Sequence, residues 1–208
     1  MRLDFHNYCH FFAIFALDMI VDIHTHNSQT HAQTIRTAGI HPWHALVGDI
    51  AEVERLAPSA DAVGEIGLDF ACDAPREAQT SIFRAQLSLA EALGKPVVLH
   101  CVRAFEEVMK VIADYRLKAV IFHGFIGTAE QAKRAAAQGY YLSFGERTLR
   151  SPKSIEAMRS TPLSHLFVET DESATPIEDI YAKIAELRGI RTSELLEATL
   201  TNFHKVTK

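Results

Sequence analysis

From Ile20 onward, short runs of apolar and mostly β-branched residues alternate with longer stretches whose apolar positions recur every three or four residues. The runs predict strands at Ile20–Ile23, Thr34–Ile40, Ala62–Ile66, Pro96–Leu99, Ala119–Phe122, Tyr140–Phe144 and His165–Val168. Most are apolar on both faces, as parallel strands covered by helices should be. The stretches between them carry helix punctuation. Pro75–Leu93 places Ile82, Ala85, Gln86, Leu89 and Leu93 at helical spacing and stops at Gly94, a residue that accepts left-handed backbone after a last turn. Thr128, with Gln131 three residues on, reads as a capping box, and Gly139 ends that helix. Ser151-Pro152 and Thr175-Pro176 each put a capping hydroxyl before a proline at the first helical position. Glu178 completes a box with Thr175, Gly189 closes the helix, and Thr192–Lys205 forms a last one. Strands alternating with helices predict βα units and a parallel sheet. No internal repeat, low-complexity stretch or linker interrupts the pattern, so residues 19–208 read as a single α/β domain.

Residues 1–18, MRLDFHNYCHFFAIFALD, stand apart as an N-terminal extension. The apolar run Phe11–Leu17 follows a single early positive charge, Arg2, and the acidic Asp4, the polar His6-Asn7 and the lack of an A-x-A site argue against a secretory signal. Two expectations stand side by side. Either the segment packs an apolar face on the domain as a terminal strand or helix, or the native start is Met19; an intact Met1 in the native protein would remove the second.

Composition narrows the class. With 208 residues, 48% hydrophobic and 23% charged, the chain can bury a sizeable core and is not disordered. No apolar run approaches the roughly 18–20 residues that span a bilayer, so no membrane association is expected. Lys+Arg number 21 against 26 Asp+Glu, a formal net charge of −5, which disfavours a large sequence-independent nucleic-acid footprint. Three cysteines (Cys9, Cys72, Cys101) lack C-x-x-C spacing and cannot build a disulfide framework, so a reducing, cytoplasmic compartment is expected. The outlier is histidine, with 11 copies.

Where the histidines fall is informative. Ile20–Ile23 runs into His24-Thr25-His26, and Thr34–Ile40 into His41-Pro42-Trp43-His44. Ala62–Ile66 carries Glu65; Pro96–Leu99 ends in His100, Ala119–Phe122 in His123, and His165–Val168 in Glu169-Thr170-Asp171. A single histidine after an apolar strand is ordinarily a hydrogen-bonded core residue. Several strands supplying imidazoles and carboxylates at the same end have no packing rationale, because such groups are costly to bury unless paired or bound to metal. In a closed parallel barrel those ends converge on one face. His-x-His adds geometry: residues i and i+2 of a strand point to one side and can grip one cation.

With those residues in order, the chain resembles the TatD family of metal-dependent hydrolases, within the amidohydrolase-like TIM barrels. The matching segments are Val21 to His26, Gly39-Ile40-His41-Pro42, Gly64 to Asp69, Lys95 to His100, His123 to Gly127 and Glu169-Thr170-Asp171. The resemblance implies two divalent ions, with magnesium, manganese and zinc not distinguished. His24 and His26 would hold one ion with Asp171, His100 and His123 the other, and Glu65 would bridge them. His41 would face the substrate. Family members usually carry an extra strand and two helices between His-x-His and Gly-Ile-His-Pro, whereas here only residues 27–38 intervene. The expected fold is therefore a TIM-type (β/α) barrel shortened by about one βα unit, with seven recognisable parallel strands. It would be seven-stranded, open at that seam, or closed by the N-terminal segment. The family's arginine two residues after the strand-end histidine is replaced by Val102, with Arg103 following.

The implied chemistry is hydrolysis by a metal-activated water. Asp171 and Glu65 would be the catalytic carboxylates, Asp171 as general base. His41 and Arg103 would contact phosphate, and Trp43 would stack on a base or anchor its loop. Asp22 and Asp69 read as groups orienting the ligand imidazoles, or as turn formers. The substrate expected is DNA, cleaved at its ends by a deoxyribonuclease, or a small phosphoester. A hydrolase of amides, lactones or small phosphoesters, and a non-catalytic metal-stabilised binding module, are the alternatives; no obligatory protein partner is evident.

Overall fold

The computed structural model describes residues 20–28 and 30–208, and the expectations for residues 1–18 lie outside them. Among the described residues, β1 (Thr37–Ala38), β2 (Ala62–Asp69), β3 (Val97–Val102), β4 (Val120–Phe122), β5 (Tyr141–Phe144) and β6 (Leu166–Val168) lie side by side in chain order. Every neighbouring pair is parallel. The helices are α1 (Ile50–Leu56), α2 (Arg76–Leu93), α3 (Phe105–Ile112), α4 (Ala129–Ala137), α5 (Pro152–Ser160), α6 (Ile177–Arg188) and α7 (Thr192–Thr207).

The six-stranded sheet does not close on itself; residues 20–26 span the gap between β1 and β6. On one side Asp22 N–H donates to the Gln33 carbonyl (2.9 Å) and Gln33 N–H to that of Ile20 (2.9 Å). On the other, Ile23 N–H donates to Val168 (3.1 Å), Asp171 N–H to His24 (3.0 Å) and His26 N–H to Asp171 (3.1 Å). The expected first strand is thus present as extended chain joined by isolated bridges, and the ring is the anticipated barrel, one βα unit short.

Strand alternation sorts the side chains into two cores. Val97 and Leu99 pack with the helices, whereas Val98 belongs to a small inner cluster with Val21, Ile23, Ile35, Ala62, Ile121 and Phe167, against which Leu200, Phe203 and Val206 of α7 pack. Two residues further along three of these strands come His100, His123 and Glu169, on the same face as Val98, Ile121 and Phe167. The apolar layer therefore determines which polar residues enter the mouth.

Several boundaries depart from the sequence pattern. Thr34–Ile40 shortens to Thr37–Ala38, because the Asp61 carboxylate takes the Arg36 N–H (3.0 Å) and Gly39 presses on Gly64, where a Cβ would sit 2.8 Å from the neighbouring backbone. Strands β2 and β3 run past Glu65 and His100 to Asp69 and Val102, so these two side chains project from within strands. That extension depends on Gly67, at φ 139°, where a Cβ would lie 2.1 Å from the His100 carbonyl oxygen. The Thr128–Gln131 box and the Ser151 cap form as read. The Thr175–Glu178 box does not: Thr175 Oγ1 donates to Glu146 Oε2 (3.1 Å) and Glu178 Oε1 pairs with His31 Nε2 (2.8 Å). Helices α1 and α3 are additional to those read from the sequence; α1 is started by Asp49, whose carboxylate accepts from Ala51 N–H (2.9 Å), and α3 buries Phe105, Val108, Val111 and Ile112 along one face.

Candidate metal centre

Glu65 stands at the centre of the mouth. Its Oε1 lies 2.8 Å from His24 Nε2 and 3.3 Å from His26 Nε2. Its Oε2 lies 2.8 Å from His123 Nε2, 3.8 Å from His100 Nδ1 and 3.9 Å from His41 Nε2. Asp171 Oδ1 approaches His24 Nε2 and His26 Nε2 at 3.9 and 3.6 Å. Each oxygen of one carboxylate thus faces a different set of imidazoles. Donor atoms gather within 4.8 Å of one another in four overlapping groups: His24, His26 and Asp171; His24, Glu65 and His123; His41, Glu65 and His100; His123, Glu169 and Asp171.

These residues fit a divalent cation. His24 Nε2, both nitrogens of His123 and Glu169 Oε2 are buried, and the Glu65 oxygens that stand 2.8 Å from His24 Nε2 and His123 Nε2 meet them without hydrogen-bond geometry, a costly state that an ion in their midst would relieve. Charge is concentrated too. Burial would raise the Glu65 carboxyl, but His123 and His24 hold it far below the usual range. Burial alone would depress His123, yet Glu169 and Glu65 hold its proton up to about 10. A cation in that place does the work of the proton. Burial, reinforced by the Glu169 charge, raises Asp171. His41 is pushed down to about 4, by burial first and then by His100. Its Nδ1 accepts the Trp43 backbone N–H (3.3 Å), which leaves Nε2 to carry the proton of the neutral ring.

The surrounding residues fix these positions. Asp69 Oδ2 meets His100 Nε2 (3.1 Å) and accepts the Trp43 indole N–H (2.7 Å), while its Oδ1 accepts Ala71 N–H (2.8 Å), so Asp69 both orients an imidazole and forms a turn. Asp22 touches no ligand ring. It accepts Thr170 N–H (2.8 Å) and the Thr170 hydroxyl (2.6 Å) and so holds the backbone just before Asp171, which sits at φ 54°. Trp43 is 58% exposed, with its ring 4.7 Å from that of His41.

Of the residues singled out from sequence, His24, His26, His41, Trp43, Glu65, His100, His123 and Asp171 converge. Arg103 does not join the mouth; it lines a separate cleft on the other side of His123. Its extra residue of separation from His100, at φ 52°, turns it there. Two residues were missed. Glu169 is buried (1% exposed) with Oε1 3.8 Å from His123 Nδ1; its two-residue spacing from Phe167 was the available signal. Arg147 lines the mouth with Asp171, and no motif marks it.

The family model of TatD-related DNases matches residues 17–208. An uncharacterized metal-dependent hydrolase, YabD, of Bacillus subtilis is 30% identical over 189 residues, covering 79% of this chain and 73% of its own length. The 3'-5' ssDNA/RNA exonuclease TatD of Erwinia tasmaniensis is 36% identical over 148 residues, which is 65% of this chain but only 56% of that protein. The crystal structure of the TatD homologue YjjV from Escherichia coli superposes with a TM-score of 0.76 at 27% identity, covering 87% of this chain and 78% of the other. A match over nearly the whole domain, together with a carboxylate set between two groups of imidazoles, places this chain in the TatD-related DNase family.

Proposed function

We propose that the protein hydrolyses phosphodiester bonds of nucleic acid with two divalent cations and acts as a deoxyribonuclease on DNA ends. The observation that carries this reading is Glu65, whose two oxygens face separate imidazole sets. His24, His26 and Asp171 would hold one ion and His100 and His123 the other, with Glu65 shared. Bound divalent cations supply Lewis acidity, which polarises a phosphoryl oxygen and brings the pKa of water towards neutrality. Asp171, at the rim, takes the proton of the attacking water and returns it to the leaving oxygen. His41 presents Nε2–H to a phosphoryl oxygen, and the exposed face of Trp43 stacks on a base. The Erwinia relative's description as an ssDNA/RNA exonuclease supports a nucleic-acid substrate.

The test pairs metal content with turnover. Elemental analysis of wild type, His24→Ala and Glu65→Ala, alongside nucleotide release from end-labelled single-stranded DNA in manganese or magnesium, is expected to show both falling together. Glu65→Ala should lower the rate by about 10²–10³-fold at least, the range seen when a single group stabilising the transition state is removed. Wild type releasing no nucleotide, with turnover only on small esters, would reject the nuclease reading.

A further inference from the structure

Four clefts border the centre, one of them reaching it only at His41, and their charge is uneven. The mouth, about 260 Å³, is lined by His26, His41, Trp43, Arg147, Asp171 and Glu172 among others, and among the described residues Arg147 is its one lysine or arginine. A second cleft of about 210 Å³ begins where the mouth ends, sharing Arg147, Asp171 and Glu172; Glu169 and the paired Glu146 and Arg150 line it too, which leaves Arg147 as its loosely held cation. Arg147 therefore stands where the two meet. Its side chain is 64% exposed and loosely held, with Nη2 3.4 Å from Glu172 Oε2 and Nη1 4.0 Å from Asp171 Oδ2. Exposed pairs of this kind contribute little and exchange readily for a better anion. Trp43 lines the mouth as well, its ring against His41 and its indole N–H on Asp69.

We propose that Arg147 is a substrate-positioning residue that grips a phosphate next to the one being cleaved, with the strand passing from the mouth into the second cleft. This rests on the phosphodiesterase reading and deepens it to a substrate class: oligonucleotides with at least one further phosphate on the Asp171 side of the cleaved bond. The guanidinium has the planar fork for bidentate phosphate contact. Glu172, 67% exposed, is the anion it releases when the strand arrives. Arg103, in the third cleft, cannot take this role, because that cleft does not include Asp171.

The test is binding, read without turnover. Fluorescence anisotropy of labelled pentathymidylate with a cleavage-resistant phosphorothioate backbone, in manganese at low salt, compares wild type with Arg147→Ala, Arg147→Lys, Glu172→Gln, Arg103→Ala and the remote Arg84→Ala. Arg147→Ala should weaken binding about tenfold, as loss of a charge-assisted hydrogen bond does. Arg147→Lys should lie between the two, Glu172→Gln should tighten binding, and Arg84→Ala should stay within about twofold. Glu172→Gln removes repulsion of the strand in any case, so the discriminating arm is the double variant: in an Arg147→Ala background the tightening by Glu172→Gln should shrink, whereas a merely structural Arg147 would leave it the same. The proposal falls if Arg147→Ala binds as wild type does, if wild type does not bind, or if Arg103→Ala costs more than Arg147→Ala. Metal-dependent nucleotide release, measured separately on wild type, reports on the phosphodiesterase reading alone.

Discussion

Asp22 shows how a side chain that touches no candidate ligand nitrogen can still govern a metal site. Its carboxylate fixes the Thr170 amide and hydroxyl, and the next residue is Asp171 at φ 54°. Asp22→Ala leaves Asp171 in place chemically but frees its backbone. We expect metal affinity to fall about 10–100-fold, the usual effect of removing a partner behind a ligand, as measured by competition with a fluorescent chelator. An unchanged affinity would show that the bridge to residues 20–26 alone positions Asp171. Burial pushes the Cys101 thiol up to about 12, so iodoacetamide at pH 8 should leave it largely unmodified in the folded protein, as read by mass spectrometry. Most of the converging residues were legible in the sequence because each follows an apolar strand run by a fixed step. Arg147 was not, because it sits in a short 3-10 turn (Glu146–Arg150) after β5, whose position depends on tertiary packing. Arg103 was misplaced for a related reason: one inserted residue after His100 re-aims a side chain in a way that composition does not reveal.

At the scale of elements, α2 fastens two strand exits through buried glutamines. Gln79 Oε1 accepts Asp69 N–H (2.8 Å) and its Nε2 donates to the Asp69 carbonyl (2.8 Å), while Gln86 Nε2 donates to the Ile40 carbonyl (3.1 Å) and its Oε1 accepts Ile40 N–H. Asp69 orients His100, and Ile40 precedes His41, so one helix sets two positions at the mouth. Gln86→Leu keeps the volume but strands both Ile40 groups. It should cost about 1–3 kcal/mol in urea unfolding, with looser substrate contact at His41. Glu146 ties a second pair of elements: Ser173, Arg150 and Thr175 donate to it and hold it down to about 2, against its usual 4.5. The unfolded chain therefore takes up the proton first. This contribution to stability is complete above about pH 4.5 and disappears as pH falls towards 2. The stability gap between wild type and Glu146→Gln should narrow from pH 5 to pH 3. The same contact explains an overturned expectation, since Thr175 prefers the Glu146 carboxylate to a helix cap. Parallel strands and long helices were legible from periodicity. The short α1 was not, because its two turns carry too few positions to show a period, whereas α3 does carry one in Phe105, Val108, Val111 and Ile112.

The whole molecule couples ring closure to the metal centre. Residues 20–26 supply the hydrogen bonds that join Gln33, in the segment leading into β1, to β6 and Asp171, and His24 and His26 of that same segment face Glu65 and Asp171. A cation gripped there clamps the one part of the ring held by isolated bridges in place of a continuous ladder. Binding to the folded state alone stabilises it by about 2.7 kcal/mol when free metal is a hundredfold above Kd. For a domain of this size that raises Tm by roughly 5–10 °C. Calorimetry in manganese against chelator should show this shift, and His24→Ala should abolish it without lowering the chelator Tm by a comparable amount. Hydrogen exchange then locates the effect. Chelation should deprotect the amides of Ile23, His26 and Asp171, whose acceptors lie across the seam, while the amides of β3 and β4, in the middle of the sheet, keep their protection. Equal Tm values in metal and chelator would show that closure stands on its hydrogen bonds and inner apolar cluster alone. Protection lost uniformly would place the coupling in the core, away from the seam.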